Sequence, residues 1–69
     1  MQTVQKQYHV DKSRIGFIRF IFEAHEGVAV VTTLDAGQGL IQMAVSPDQL
    51  EEARMIIADL KKDMKFDEI

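Results

Sequence analysis

Residues 28–45 have the sequence VAVVTTLDAGQGLIQMAV, and this stretch decides the fold. Its first part, residues 28–34, is β-branched and apolar, which is typical of a strand. Residues 35–39 form a turn, because they combine an aspartate with two glycines that accept special backbone angles. Residues 40–45 then return as a second strand with three apolar side chains on one face: Ile41, Met43 and Val45. The stretch therefore predicts a β-hairpin.

Two elements are predicted before the hairpin. Residues 3–10 alternate between polar and apolar side chains, which predicts a strand with one wet face. Lys6 interrupts the apolar face of this strand, a device that is typical of edge strands. Residues 13–25 change to a helical period, and the helix ends at Gly27, which accepts a positive φ. We expect this helix to have an unusually broad buried face: Ile15, Phe17, Ile18, Phe20, Ile21, Phe22 and Ala24.

A helix start follows the hairpin and is the strongest local signal in the chain. Ser46 is a capping residue, Pro47 occupies the first helical position, and Gln49 completes a capping box. These residues predict a helix over 47–64. Its apolar stripe comprises Leu50, Ala53, Ile56, Ile57, Leu60 and Met64. The tail, residues 65–69, is expected to fray or to add a short edge strand.

The order of elements, β-α-β-β-α, predicts the topology. A right-handed crossover makes the first two strands parallel, and the third strand then lies between them. The result is an α+β fold over a single domain, residues 1–69: a ferredoxin-like (ACT-like) split β-α-β. We expect both helices on one face of an antiparallel sheet in the order 1-3-2, with the fourth strand absent or very short. Val28, Val30 and Leu34 are predicted to point into the core, and the edge of the first strand is left open.

Composition narrows the classes of function. Because 69 residues leave a thin stability margin, we expect a homodimer that forms through the sheet edge or the uncovered sheet face. The chain has eight Lys and Arg but eleven Asp and Glu. This balance disfavours nucleic-acid binding, because a polyanion is bound by a basic surface. We expect no membrane span and no signal peptide, and therefore a cytoplasmic location. The lack of cysteine excludes disulfides and thiolate zinc sites.

The two histidines are the candidate metal-ligating or acid–base residues. His9 lies on the first strand and His25 at the far end of the first helix, whose ends are roughly 15–18 Å apart. One metal ion therefore cannot reach both within a protomer. We interpret His25 as a packed core or interface residue and His9 as a solvated strand residue. Because the serines are explained as helix caps, we expect no catalytic site, metal site or cofactor.

One candidate ligand site lies at the start of the first helix. The first strand ends there, and the hairpin turn rises at the same end of the sheet. The free N–H groups and partial positive charge of a helix N-terminus suit a small anion or carboxylate. Two observations argue against a ligand there. An aspartate brings negative charge to the same place, and roles in the helix cap and the turn account for every residue of the site without a ligand. The site comprises Asp11, Lys12, Ser13 and Arg14 with Gly37 and Gln38 of the turn, which Asp35 and Gly39 flank.

Three short motifs resemble a known family: Val10-Asp11-Lys12-Ser13-Arg14, Glu23-Ala24-His25-Glu26-Gly27 and Thr32-Thr33-Leu34-Asp35. Their pattern is similar to that of the domain-of-unknown-function 4911 family over nearly the whole chain. This resemblance implies a small bacterial protein without an assigned activity. A more distant similarity is to ACT domains, which pair through their sheets and bind amino acids. Asp11 matches the aspartate before their first helix, whereas Ser13-Arg14 stand where those domains have proline and glycine.

Two hypotheses for the function follow. The first is a non-catalytic interaction module that self-associates through its sheet. The second is an ACT-like regulatory domain that binds a small amino acid or anion at the start of the first helix. An RNA-binding role is disfavoured, because the uncovered sheet face has no aromatic side chain on which bases could stack.

Overall fold

A computed structural model describes residues 2–69 of the chain. Within these residues the chain forms an α+β structure, as predicted, with four strands, two α-helices and two single 3-10 turns. In chain order they are β1 (Val4–Val10), a 3-10 turn (Lys12–Arg14), α1 (Ile15–Ala24), β2 (Ala29–Asp35), β3 (Leu40–Val45), a 3-10 turn (Pro47–Gln49), α2 (Leu50–Leu60) and β4 (Phe66–Glu68).

The strands form one antiparallel sheet in the order β2-β3-β1-β4. β3 lies between β1 and β2 as predicted, but the complete order is not the predicted 1-3-2, because the three-residue β4 adds a fourth strand. β4 is the short edge strand that the sequence left open for the tail, and the predicted open first-strand edge is wrong. β4 pairs with residues 8–10 of β1 and covers that part of its edge. The tail is held there because Phe66 is 1% exposed and packs edge-on against Tyr8, with ring centroids 5.0 Å apart. The packing of this aromatic side chain therefore holds a strand against the edge that the sequence predicts to be open.

Both helices pack on the same face of the sheet and close one core. Along β3 the core side chains alternate as predicted, with Ile41, Met43 and Val45 buried. Each helix contributes a narrow stripe of three buried residues to this core. The buried core comprises Tyr8, Val10, Ile15, Ile18, Phe22, Val28, Ile41, Met43, Val45, Ala53, Ile56, Leu60 and Phe66. The other face of the sheet, which we call the open sheet face, has no helix over it in residues 2–69.

The facing of β2 differs in part from the prediction: Val28 is buried as predicted, but Val30 and Leu34 are not. Ala29 and Val31 lie opposite the buried Val45 and Met43, so they face the core. Val30 consequently points to the open sheet face, where it is 67% exposed, and Leu34, at the register irregularity between Thr33 and Asp35, is 44% exposed. A one-residue shift moves every side chain of a strand to the other face. The run at 28–31 is apolar throughout, so its alternation could not fix the register.

The first helix buries less of its apolar surface than predicted. Only Ile15, Ile18 and Phe22 are buried in α1. Phe17 and Phe20 remain 44% and 64% exposed, because the sheet covers only one side of a helix. The predicted broad buried face is therefore wrong for a single copy of the chain.

The cap predicted for the second helix is also different. Ser46 occupies the N-cap position before the Pro47–Gln49 turn, but its side chain forms no cap hydrogen bond. Its hydroxyl instead donates to the carbonyl oxygen of Gly27 at 3.0 Å. Gly27 has φ +80°, which agrees with its predicted role at the end of the first helix. The serine thus joins the two helix boundaries rather than closing a capping box.

Candidate functional site

β2 is one of the two edge strands of the sheet, and its only strand neighbour in residues 2–69 is β3. The other edge strand, β4, has three residues, two of which are the charged Asp67 and Glu68. The backbone N–H of Ser46 donates to the carbonyl oxygen of Val28, so the Val28 carbonyl points toward the β3 side. These directions alternate along an antiparallel strand. The N–H and C=O groups of Ala29, Val31 and Thr33 therefore point away from β3. We call this row of backbone groups the β2 edge.

The side chains along the β2 edge do little to prevent it from pairing with another strand. Residues 29–34 contain no charged residue and no proline, the two features that natural edge strands most often use against pairing. A register irregularity between Thr33 and Asp35 disturbs only the last part of the strand. About four residues of regular, uncharged edge strand thus remain available for pairing with another strand.

The helix beside the β2 edge carries one charge of each sign. A cavity of about 210 Å³ lies between α1 and β2 and is lined by Arg19, Phe22, Glu23, Ala29, Val30 and Val31. Arg19 and Glu23 are exposed and are four residues apart, so they lie on the same side of the helix. This side faces the β2 edge.

Glutamines occupy the centre of the open sheet face. The Gln42 side-chain amide donates to Gln5 Oε1 at 3.3 Å, and Gln7 donates to Gln42 Oε1 at 3.5 Å. Apolar side chains, Val30 and Leu34, lie at the β2 side of this row. The face is therefore polar in the middle and apolar toward the β2 edge.

The predicted ligand residues at the start of α1 form a capping turn. The backbone N–H and the hydroxyl of Ser13 donate to Asp11 Oδ1 at 3.0 and 2.7 Å. These hydrogen bonds, first of all that from the hydroxyl, lower the pKa of the Asp11 carboxyl. The Arg14 guanidinium carbon lies 6.0 Å from the ring centroid of Phe17, at the limit of a cation–π contact. Lys12, Ser13 and Arg14 are exposed.

The structure brings the hairpin turn against this segment, as the sequence predicts. The backbone N–H of Val10 donates to the Gly39 carbonyl at 2.8 Å. Gly39 has φ +68°, and a Cβ there would lie 2.2 Å from the Val10 carbonyl oxygen. Gln38 donates its backbone N–H to Asp35 Oδ1 within the turn itself. Among residues 2–69, the two cavities between the helices and the sheet, the groove between α1 and α2, and the cavity beside Gly27 and Ser46 are not lined by a predicted ligand residue. Ligand binding at this junction therefore stays a prediction.

The histidines lie apart. The core position predicted for His25 is wrong, whereas an interface position for it stays a prediction. His9 is exposed on the open sheet face, as expected of a solvated strand residue. His25 is not packed in the core: its side chain is half-exposed, with Nδ1 3.9 Å from Glu52 Oε1. It lines a groove of about 490 Å³ between α1 and α2.

Among residues 2–69, no three His, Cys, Asp or Glu side chains are grouped so as to hold a metal ion. No helix in that range has the length and hydropathy to span a membrane.

A cavity of about 230 Å³ between β1, α2 and β4 was missed at the sequence level. It is lined by Lys6, Tyr8, Arg54, Ile57, Ala58, Lys61 and Glu68. The signal that could have indicated it is the spacing of Arg54 and Lys61, which are two helical turns apart. The rest of the lining comes from strands distant in the chain, which the sequence pattern did not bring together.

A small α+β domain with an unprotected edge strand is the class of protein that this fold and site define. Residues 8–64 match the family model described as Domain of unknown function (DUF4911), and the chain belongs to that family. The resemblance drawn from the three short motifs is thereby confirmed. Comparisons with curated proteins and with solved structures gave no match.

Proposed function

We propose that this protein is a non-catalytic interaction module that forms a homodimer through the β2 edge. The observation that carries the proposal is the row of outward N–H and C=O groups on Ala29, Val31 and Thr33, along a strand without charge or proline. Such an edge is a template for another strand. This replaces the first-strand edge, which β4 covers at residues 8–10.

Symmetry favours a second copy as the partner. In a two-fold dimer the same patch meets itself, so β2 of one protomer runs antiparallel to β2 of the other. The two sheets then join into one of eight strands. Because α1 lies beside β2, the two copies of α1 also run antiparallel across the axis. Arg19 of one copy then lies near Glu23 of the other, and the converse pair forms by symmetry.

Exposed apolar surface gives a driving force for the association. Val30 is two-thirds exposed on the strand that forms the edge, and Leu34 is exposed further along it. Covering apolar surface contributes about 25 cal/mol per Å². A chain of this length buries only about 60% of its unfolded surface by itself, so the additional burial raises a thin stability margin.

Charge reversal at Arg19 and Glu23 tests the proposal by sedimentation equilibrium. Arg19→Glu alone, or Glu23→Arg alone, turns two attractive pairs into like-charge pairs across the axis. Two exposed pairs together amount to about 1.4 kcal/mol, which corresponds to about a tenfold weaker dimer. The double variant Arg19→Glu/Glu23→Arg restores complementarity and is expected to recover the wild-type dissociation constant. Lys65→Glu is the matched control for the change in net charge.

A backbone substitution tests the edge directly. Val31→Pro removes an outward N–H while leaving the β3 hydrogen bonds of neighbouring residues in place, and it is expected to abolish the dimer. Val31→Ala is the control, because it keeps the N–H and loses only side-chain contacts. The proposal is wrong if the wild-type chain is monomeric at millimolar concentration, or if Val31→Pro associates as strongly as Val31→Ala.

An ACT-like domain that binds a small amino acid or anion is the second candidate. One observation supports it: the close approach of Gly39 to Val10 holds the hairpin turn against the segment from Asp11 to Arg14. Binding there is expected to raise the melting temperature with added amino acid, and to leave the dimer dissociation constant of the first proposal unaffected.

A further inference from the structure

A cavity with a mostly basic lining lies at the side of the molecule remote from the β2 edge. The cavity between β1, α2 and β4 is lined by Lys6, Arg54 and Lys61, three of the eight Lys and Arg of the chain. The only carboxylate in this lining is Glu68. Three cations and one carboxylate leave the lining with a formal charge of +2, although the whole chain has −3.

Two of these cations have no acidic partner. Lys6 Nζ lies 3.4 Å from Glu68 Oε2, so this pair is mutually compensated. Among residues 2–69, Arg54 and Lys61 form no ion pair. Arg54 lies on α2, and Lys61 caps its C-terminus with a helical backbone conformation. The two residues are seven apart, which is about 10 Å along the helix axis and on the same side of it. Their long side chains therefore flank the cavity at either end.

The inner wall of the cavity adds a neutral hydrogen-bond donor. Tyr8 is 5% exposed, and its hydroxyl forms no hydrogen bond with another described residue. Burial raises the pKa of this hydroxyl, and the Glu68 carboxylate raises it further, while Arg54 acts in the opposite direction. The phenol therefore keeps its proton at neutral pH. Ile57 and Ala58 supply a small apolar surface beside it.

We propose that this cavity binds a small oxyanion of charge −2, of the phosphate monoester or dicarboxylate class. Arg54 supplies a planar fork that matches two oxygens, Lys61 supplies a second positive charge, and the Tyr8 hydroxyl donates a hydrogen bond. At about 230 Å³ the cavity is smaller than the usual pocket for drug-sized ligands, which limits the occupant to a few heavy atoms. The site lies away from β2 and does not depend on dimer formation.

The test is a titration followed in amide ¹H–¹⁵N correlation spectra, with inorganic phosphate and succinate as probes at constant ionic strength. Saturable shifts are expected at residues 6–8, 54–61 and 66–68. The double variant Arg54→Gln/Lys61→Gln is expected to weaken binding about tenfold or more, because it removes both uncompensated charges. The double variant Lys62→Gln/Lys65→Gln loses the same charge at two exposed positions outside the cavity lining and is the matched control, expected to bind like the wild-type chain. All four substituted side chains are exposed, so both variants should fold.

The outcomes separate the alternatives. Tighter binding of phosphate than of succinate assigns the phosphate monoester class, and the reverse assigns dicarboxylates; either result supports the site. Shifts that never saturate, or that both double variants weaken equally, mean diffuse attraction of anions and overturn it. Shifts centred on residues 11–14 and 37–39 overturn it as well and place the ligand at the start of α1. Unchanged phosphate binding in charge-reversal variants that no longer dimerise supports the site, because the proposal places it away from β2, and loss of phosphate binding in those variants overturns it.

Discussion

Replacing Phe66 with alanine is expected to cost about 3–5 kcal/mol of unfolding free energy. The side chain is 1% exposed, and its ring contacts Tyr8 edge-on in the core. A chain of 69 residues has a total stability of about 3–10 kcal/mol, so the substitution removes a large share of it. Because Phe66 holds β4 against β1, we also expect the tail to detach and the β1 edge at residues 8–10 to open.

Urea denaturation measures the cost, and hydrogen exchange locates it. Unfolding is followed at two protein concentrations, since self-association adds stability by mass action. Phe66→Leu keeps an apolar side chain and loses the ring contact, so its cost is expected to lie well below that of Phe66→Ala. Asp67→Ala, at the exposed neighbouring position, is the matched control and is expected to change stability by less than about 0.5 kcal/mol. In Phe66→Ala the amide of His9, which faces β4, should exchange faster.

The result that refutes the reasoning is a Phe66→Ala chain about as stable as Asp67→Ala, with unchanged exchange at residues 8–10. The tail would then contribute nothing to the core, and the first-strand edge would be free for pairing. In that case the β2 edge would have a competitor on the other side of the sheet.

Three other predictions concern the start of the first helix and the hairpin turn. Gly39→Ala is expected to destabilise the chain by more than about 1 kcal/mol, because its Cβ would meet the Val10 carbonyl at φ +68°. Gly16→Ala, with open space around the added Cβ, is expected to stabilise by about 0.5–1 kcal/mol, and thermal melts of both compare the two. Hydrogen bonds from Ser13 lower the pKa of Asp11 in the folded state, so its stabilisation is present above the unfolded pKa and is lost as pH falls through the folded value. Asp11→Ala should therefore lose stability at neutral pH and show a shallower decline in acid, measured by urea midpoints from pH 2 to pH 7.

The site could be predicted only in part. The approach of the hairpin turn to Asp11 and Ser13 follows from topology, because a first strand and a hairpin turn at one end of a sheet must be neighbours. The predicted order 1-3-2 already places the second strand at an edge, but the sequence did not show that this edge stays uncovered, because that depends on which strand the tail covers. The sequence gives weak information there, since a tail of five residues with two apolar side chains can fray or pair.

Local sequence by itself determined the α+β class of this protein. The evidence is the alternation along β1 and β3, the helical periodicity in α1 and α2, and the glycine at 27. Each of these patterns extends over only a few neighbouring residues. The tertiary structure decided which face β2 presents, whether Phe66 docks, and where Arg54 and Lys61 meet Tyr8. These features depend on contacts between residues far apart in the chain. The start of β2 is apolar throughout and Phe66 is the one aromatic residue of the tail, so the local pattern does not specify what either of them contacts. Their contacts form only when the strands pair in the sheet.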